Sequence, residues 1–137
     1  MQSIYNDVIV NNNVRTTIDS RRPRVVGVHV YGNLKGVNNE SMLTNEKGLW
    51  ELLRRAGEIG NMTILDIRTW KIGEGVSAVA IVLESHITIH TWPEFRFATV
   101  DVYSCGPNTD PKKAFDYIVS ELKPEDVEFE ITDRSLE

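Results

Sequence analysis

Between residues 62 and 104 the sequence predicts four β-strands in quick succession, over about 62–71, 76–84, 86–92 and 96–104. Within 86–91 apolar and polar side chains alternate, which is the two-residue period of a strand with one buried face. Such strands need a second layer to cover that face. The tract therefore restricts the fold to one built around a mostly antiparallel sheet.

Two amphipathic helices flank this tract. The first is predicted over 45–60, ends at Gly60 and Asn61, and has an apolar stripe of Leu49, Leu52, Leu53, Ala56 and Ile59. The second begins at Asp110 and Pro111, an N-cap residue and a proline suited to the first helical position. It ends before Pro124, and its stripe comprises Ala114, Tyr117, Ile118 and Leu122.

The outer elements complete the predicted fold. A strand over 25–31 ends at Gly32 and Asn33, a polar loop follows over 33–43, and a last strand covers 127–131. The element order predicts an α+β fold, a two-layer sandwich with two helices on one face of the sheet. Residues 1–22 form a predicted flexible extension, and residues 23–137 are predicted to form a single domain.

Composition excludes several classes of function. The 137 residues carry a net charge of −5, which argues against nucleic acid or anionic lipid as a partner. A lone cysteine forms no internal disulfide, and the N-terminus lacks the pattern of a signal peptide. No apolar stretch approaches the roughly 20 residues that cross a bilayer. We expect a cytoplasmic protein with a small-molecule substrate.

Reactive side chains are concentrated in residues 84–94. The segment holds the carboxylates Glu84 and Glu94, the hydroxyl of Ser85 and the imidazoles of His86 and His90. The thiol of Cys105 follows twenty residues after Ser85. Such density of nucleophiles, acids and bases is typical of an active site.

Two simple readings of this segment fail on spacing or context. His86 and His90 lie about 13 Å apart along a strand, so one metal ion cannot bind both. Cys105 with His90 would suit a thiol hydrolase, but the cysteine follows a strand and lacks a helix N-terminus that would activate it. No metal is therefore predicted.

Self-cleavage of the backbone at Glu84-Ser85 is the third reading. The Ser85 hydroxyl attacks the preceding carbonyl, the resulting ester is eliminated, and hydrolysis of the dehydroalanine leaves a pyruvoyl group. This chemistry needs a base near Ser85 and donors that stabilise an oxyanion. His90 suits the role of the base.

The longer motif resembles one known family. Glu-Ser-His at 84–86, His-Thr-Trp-Pro-Glu at 90–94, Asp-Val at 101–102 and Cys-Gly at 105–106 occur in register with the prokaryotic form of the pyruvoyl-dependent S-adenosylmethionine decarboxylases. The similarity covers about residues 25–131. It implies that Ser85 becomes the pyruvoyl group, that His90 assists processing and that Cys105 donates a proton to the substrate. It also implies an active-site role for Ser77 and ribose binding by Glu94.

The resemblance also implies the cofactor and the assembly. Cleavage gives fragments 1–84 and 85–137, and the pyruvoyl ketone forms a Schiff base with an amine substrate without pyridoxal phosphate or a metal. On a straight strand Ser85 and His90 lie on opposite faces and about 17 Å apart. A bulge, a turn or a second chain must bring them together, and in the family the active site lies between two protomers. We therefore predict a homodimer.

The substrate is predicted from one position on the second strand. In the S-adenosylmethionine enzymes a phenylalanine fourteen residues before the cleaved serine stacks on adenine, and Lys71 stands there in this chain. Trp70 would point to the opposite face of a strand. An archaeal branch of the family converts arginine to agmatine in polyamine biosynthesis and shares an N-terminal extension and a short tail. Arginine is therefore the predicted substrate, with S-adenosylmethionine as the alternative.

A guanidinium group requires a facing carboxylate. Glu94, Glu74 and Asp101 are the predicted candidates, and Lys71 would face the substrate carboxylate or solvent. A non-enzymatic alternative stays open, in which Ser85 remains intact and the chain is an unprocessed α+β ligand-binding domain.

Overall fold

One antiparallel sheet organises residues 24–137, the part of the chain that the computed structural model describes. The predicted extension over 1–22 lies outside the described residues. The strands are β1 Val28–Lys35, β2 Ile64–Ile72, β3 Gly75–Val82, β4 Ser85–Trp92, β5 Phe97–Ser104 and β6 Asp126–Asp133. The helices are α1 Glu46–Ile59 and α2 Pro111–Leu122, and short 3-10 helices span Glu40–Thr44 and Pro93–Phe95. The predicted fold class is confirmed.

Both helices begin at side-chain caps, of which the sequence predicts the one at Asp110. The Asn45 side chain accepts a hydrogen bond from the Gly48 amide at 2.9 Å, and Asp110 accepts one from the Lys113 amide at 3.1 Å. The helices pack on one face of the sheet, α1 over β2 and β3 and α2 over β5 and β1. Their apolar stripes meet the inward side chains of the strands in one core.

Strand β1 differs from its predicted bounds because Gly32 is not a turn residue. The strand runs through Gly32 to Lys35 and pairs with both β5 and β6. A Cβ atom at Gly32 would lie 2.4 Å from the carbonyl oxygen of Glu128 on β6. Glycine is needed here because the neighbouring backbone approaches closely.

The strand order β2-β3-β4-β5-β1-β6 leaves one face of the sheet without helices. On β4, Ile87 and Ile89 are buried beneath the helices, while His86, Thr88 and His90 are half-buried on the opposite side. We call that side the open face. Two rows of side chains run across this face, one of Ile81, His86, Tyr103 and His29 and the other of Trp70, Ser77, His90 and Thr99.

Candidate active site

Ser85 follows the two-residue turn that joins β3 to β4 and closes it by pairing with Val82. Two-residue hairpin turns that match the twist of a sheet need positive φ within the turn. Leu83 and Glu84 have no positive φ, and Ser85 carries a φ of 157° instead. This value lies outside the regions that L-residues normally adopt, so strain of about 1–3 kcal/mol is concentrated at Ser85.

The peptide carbonyl before Ser85 is held by a backbone donor. The amide of Cys105 donates a hydrogen bond to the carbonyl oxygen of Glu84 at 2.8 Å. The Glu84 side chain is also anchored, since its carboxylate accepts a hydrogen bond from the Thr63 amide at 3.0 Å. An amide at this distance polarises the carbonyl and stabilises negative charge that develops on its oxygen.

His86 is the imidazole that contacts Ser85. Its Nδ1 atom lies 3.4 Å from the Ser85 hydroxyl. Burial lowers the pKa of His86, and the nearby His29 and Arg134 lower it further against the opposite effect of Asp101. The sequence predicts His90 rather than His86 as the base, although His86 is the next residue after Ser85.

The Cys105 thiol is partnered by Tyr103, two residues earlier on β5. The neighbouring Cys105 thiol, followed by burial, raises the pKa of the Tyr103 phenol. The guanidinium of Arg134 lies 4.4 Å from the centre of the Tyr103 ring, and the His86 ring lies 5.9 Å away. We call Glu84, Ser85, His86, Tyr103 and Cys105 the cleavage end.

A second cluster lies at the other end of β4. The Ser77 hydroxyl and His90 Nδ1 form a hydrogen bond of 2.8 Å between paired residues of β3 and β4. They line a cavity of about 720 Å³ together with Glu74, Trp92 and Glu94. Trp70 pairs with Ser77 on the open face and is 51% exposed. We call Trp70, Ser77, His90 and Glu94 the pocket end.

The two ends do not meet within one chain. Strand β4 pairs with β3 and β5 without any shift of register between Ser85 and His90. Five residues of regular strand separate the two side chains by about 17 Å and place them on opposite faces. The bulge that could have joined them is absent from β4, and His90 contacts Ser77 rather than Ser85.

The predicted substrate-binding residues are divided between three places. Glu94 and Glu74 line the cavity at the pocket end. Asp101 lies elsewhere on the open face and accepts a hydrogen bond from His29 Nε2 at 2.9 Å. Lys71 points to the helix side, where its ammonium contacts the carbonyl oxygens of Glu74 at 3.2 Å and Thr44 at 3.4 Å.

Within residues 24–137, no three His, Cys, Asp or Glu side chains are grouped closely enough to hold a metal ion. In the same described part of the chain, no helix is long and apolar enough to cross a membrane.

Comparison with known proteins gives consistent relatives. The sequence model of S-adenosylmethionine decarboxylase matches residues 28–135. The chain is 63% identical over 115 residues to an S-adenosylmethionine decarboxylase proenzyme of Sulfurisphaera tokodaii, covering 84% of this chain and 93% of that one. A proenzyme of the same name from Aeropyrum pernix is 53% identical over 123 residues, covering 90% and 95%. The crystal structure of the adenosylmethionine decarboxylase from Aquifex aeolicus is similar with a TM-score of 0.76 at 32% identity, covering 82% and 93%.

These relatives correct the substrate predicted from the sequence. They are named for S-adenosylmethionine, so the prediction of arginine is wrong and the alternative is favoured. The physical reason lies on β2, where Trp70 pairs with Ser77 on the open face and Lys71 pairs with Val76 on the helix side. Trp70, which is predicted to point away from the site, therefore lies next to its residue Ser77. The chain belongs to the S-adenosylmethionine decarboxylase family.

Proposed function

We propose that this protein cleaves its own backbone between Glu84 and Ser85 and then decarboxylates S-adenosylmethionine as a homodimer. The family consists of carboxy-lyases made as proenzymes, and its cofactor is a pyruvoyl group that forms by self-cleavage. The observation that carries the proposal is the geometry at the Glu84-Ser85 peptide. A strained serine, an imidazole and an amide donor converge on that one bond.

The cleavage end supplies what an acyl shift requires. The Ser85 hydroxyl is the nucleophile, and the Cys105 amide at 2.8 Å stabilises the oxyanion on Glu84. Strain at Ser85 raises the energy of the intact peptide and is released when the bond breaks. Elimination then removes the Ser85 α-proton and releases Glu84 as a carboxylate.

Separation of the two ends supports a dimer. In an isologous dimer, each surface that one chain presents meets its counterpart on the partner, so two composite sites form together. The cleavage end of one chain would then face the Ser77–His90 pair of the partner chain. This arrangement gives His90 access to a serine that it cannot reach within its own chain.

Aromatic and acidic groups at the pocket end suit a sulfonium nucleoside. The exposed ring of Trp70 offers a flat face for adenine, and the Glu94 carboxylate can accept hydrogen bonds from a ribose diol. The Trp92 ring, also beside the cavity, can attract the positive sulfonium. Glu74 adds negative charge, whereas Asp101 is occupied by His29 and Lys71 points to the other face.

Once formed, the pyruvoyl group supplies an electron sink for the bond to the departing carboxyl group. The residues of this chain position the substrate around it and supply protons. Cys105 is the proposed donor to the substrate carbon, and the Tyr103 phenol acts on its thiol from two residues earlier in the chain. Ser77 and His90 of the partner chain would line the opposite wall.

Intact-mass measurement tests self-cleavage. Wild-type protein should appear as two fragments, 1–84 and 85–137, with a pyruvoyl group at the start of the second. Ser85→Ala lacks the nucleophile and should remain one full-length chain. Wild-type protein that stays whole after folding would contradict the proposal.

Release of labelled carbon dioxide tests the substrate. We expect release from carboxyl-labelled S-adenosylmethionine and at least a hundredfold less from arginine or ornithine at equal concentration, about 3 kcal/mol of discrimination. Equal release from arginine would contradict the assignment.

Mixing two inactive variants tests the composite site. Cys105→Ala damages the cleavage end and Ser77→Ala the pocket end. Half of the dimers in an equal mixture are mixed, and each mixed dimer has one undamaged site, so about a quarter of wild-type activity should return. No recovery despite subunit exchange would contradict sites built from two chains.

A further inference from the structure

Three groups that converge on the bond to be cleaved come from one chain. They are the Ser85 hydroxyl, the His86 imidazole and the Cys105 amide. Nδ1 contacts the nucleophile, and the amide contacts the carbonyl oxygen of the peptide that is cleaved. All the functions needed for the first step of cleavage are therefore present without a partner.

His90 has a different set of contacts. It is bonded to Ser77 at 2.8 Å, and an unbroken register keeps it about 17 Å from Ser85 in the same chain. For His90 to start the cleavage, the dimer would have to form first. His86 requires no such assembly.

The surroundings of His86 suit a base. The ring is half-buried on β4 and lies in the row formed with Tyr103 and His29. Burial is the largest cause that lowers its pKa, His29 and Arg134 lower it further, and Asp101 has the opposite effect. An imidazole that is neutral at pH 7 can accept a proton at Nδ1 while Nε2 carries its hydrogen.

We propose that His86 is the general base of the acyl shift and that this first step is completed within a single chain. The inference rests on the proposed self-cleavage and divides it into two stages. His86 serves the first stage within one chain, and the partner's pocket end serves the later ones. The distance of 3.4 Å is at the long end of a hydrogen bond, as is common before the reacting groups tighten.

The acyl shift replaces the peptide bond before Ser85 with an ester. Nδ1 of His86 takes the hydroxyl proton as Ser85 Oγ bonds to the carbonyl carbon of Glu84. The oxyanion is held by the Cys105 amide, the bond from carbon to the Ser85 nitrogen breaks, and that nitrogen receives the proton from His86. The product is an ester between Glu84 and Ser85 with a free amine on Ser85, and no other reactant is consumed.

Hydroxylamine distinguishes the two stages because it cleaves an ester and leaves an amide intact. Freshly synthesised full-length chains are sampled over time, treated with hydroxylamine and weighed. His86→Gln and His86→Asn should form the ester at least a hundredfold more slowly than wild type, within the usual contribution of a general base. The matched control is His29→Gln, which removes another imidazole of the same row that does not contact Ser85, and it should form the ester at a rate near that of wild type.

Two readouts separate a base from a structural role. Added imidazole should restore ester formation in His86→Ala, and circular dichroism should match that of the uncleavable Ser85→Ala. Mixing His86→Gln with Ser85→Ala offers an intact His86 on the partner, and no cleavage should return. Wild-type rates in His86→Gln, or rescue by the partner chain, would overturn the inference. A wild-type chain that forms no ester and no fragments would instead overturn the proposed function.

Discussion

The cleavage end and the pocket end occupy opposite ends of β4 and are built in different ways. At the cleavage end a tight turn, a neighbouring residue and a backbone amide surround Ser85, so its groups are held by local geometry. At the pocket end, side chains from adjacent strands form a wall beside an open cavity. A bond within the chain can be attacked by local groups, whereas a diffusing substrate needs a larger surface that a second chain completes.

The largest expected effect separates the two roles of Cys105 at the cleavage end. Cys105→Ala removes the thiol but keeps the backbone amide that binds the Glu84 carbonyl. Self-cleavage should stay within about threefold of wild type, while turnover of S-adenosylmethionine falls by about 10²–10⁴-fold because a proton donor is lost. Fragment masses measure cleavage, and labelled carbon dioxide measures turnover. An equal loss of both would mean that the thiol itself is needed for cleavage.

A smaller effect is expected at the pocket end. Trp70→Ala should raise KM for S-adenosylmethionine by about 10–100-fold, since stacking of a base on an aromatic ring contributes about 1–3 kcal/mol. Self-cleavage should not change. Lys71→Ala is the matched control, because it alters the adjacent residue on the other face, and its KM should stay within about twofold. A larger rise in KM for Lys71→Ala than for Trp70→Ala would instead indicate that adenine binds on the helix side.

Strain at Ser85 has a thermodynamic signature that can be measured without cleavage. Ser85→Gly should be about 1 kcal/mol more stable than Ser85→Ala, because glycine adopts a φ of 157° freely. Urea unfolding of the two uncleavable variants gives the difference. At the regular position Thr88, glycine should instead be less stable than alanine by about 0.5–1 kcal/mol. If the alanine variant were more stable than the glycine variant at both positions, Ser85 would not be strained.

The smallest effect concerns the pH dependence of self-cleavage. An imidazole of ordinary pKa is about three quarters protonated at pH 6, so only about a quarter of it is neutral. A reaction that needs the neutral base would therefore be about fourfold slower at pH 6 than at pH 8. Burial and the charges of His29 and Arg134 lower the pKa of His86 despite Asp101, so the neutral base persists to lower pH. Ester formation should therefore slow by less than fourfold between pH 8 and pH 6. A steeper fall, with Ser85→Ala still folded at pH 6, would argue against His86 as the base.

Local patterns in the sequence determined most of the fold. The apolar stripes predicted both helices, and Asn45 and Asp110 cap them, the latter as predicted. The alternation of Ile87 and Ile89 with His86 and His90 predicted which side of β4 faces the core. These features depend on neighbours in the chain and on burial, both of which are encoded locally. The reactive segment 84–94 likewise indicated the family before any contact was known.

Tertiary structure alone decided which side chains of β2 lie on the open face and which groups contact Ser85. Strand β2 lies at the edge of the sheet and shows little alternation of burial, and its register shifts between Ile64 and Asp66. The hydrophobic pattern of the sequence therefore does not predict which of Trp70 and Lys71 faces the site. The contact between Ser85 and His86 depends on a φ that regular strand geometry does not predict. The Cys105 amide reaches Glu84 only because β4 and β5 pair in one register. Contacts between strands arise from pairing over long separations in sequence, and for that reason they first appear in the folded chain.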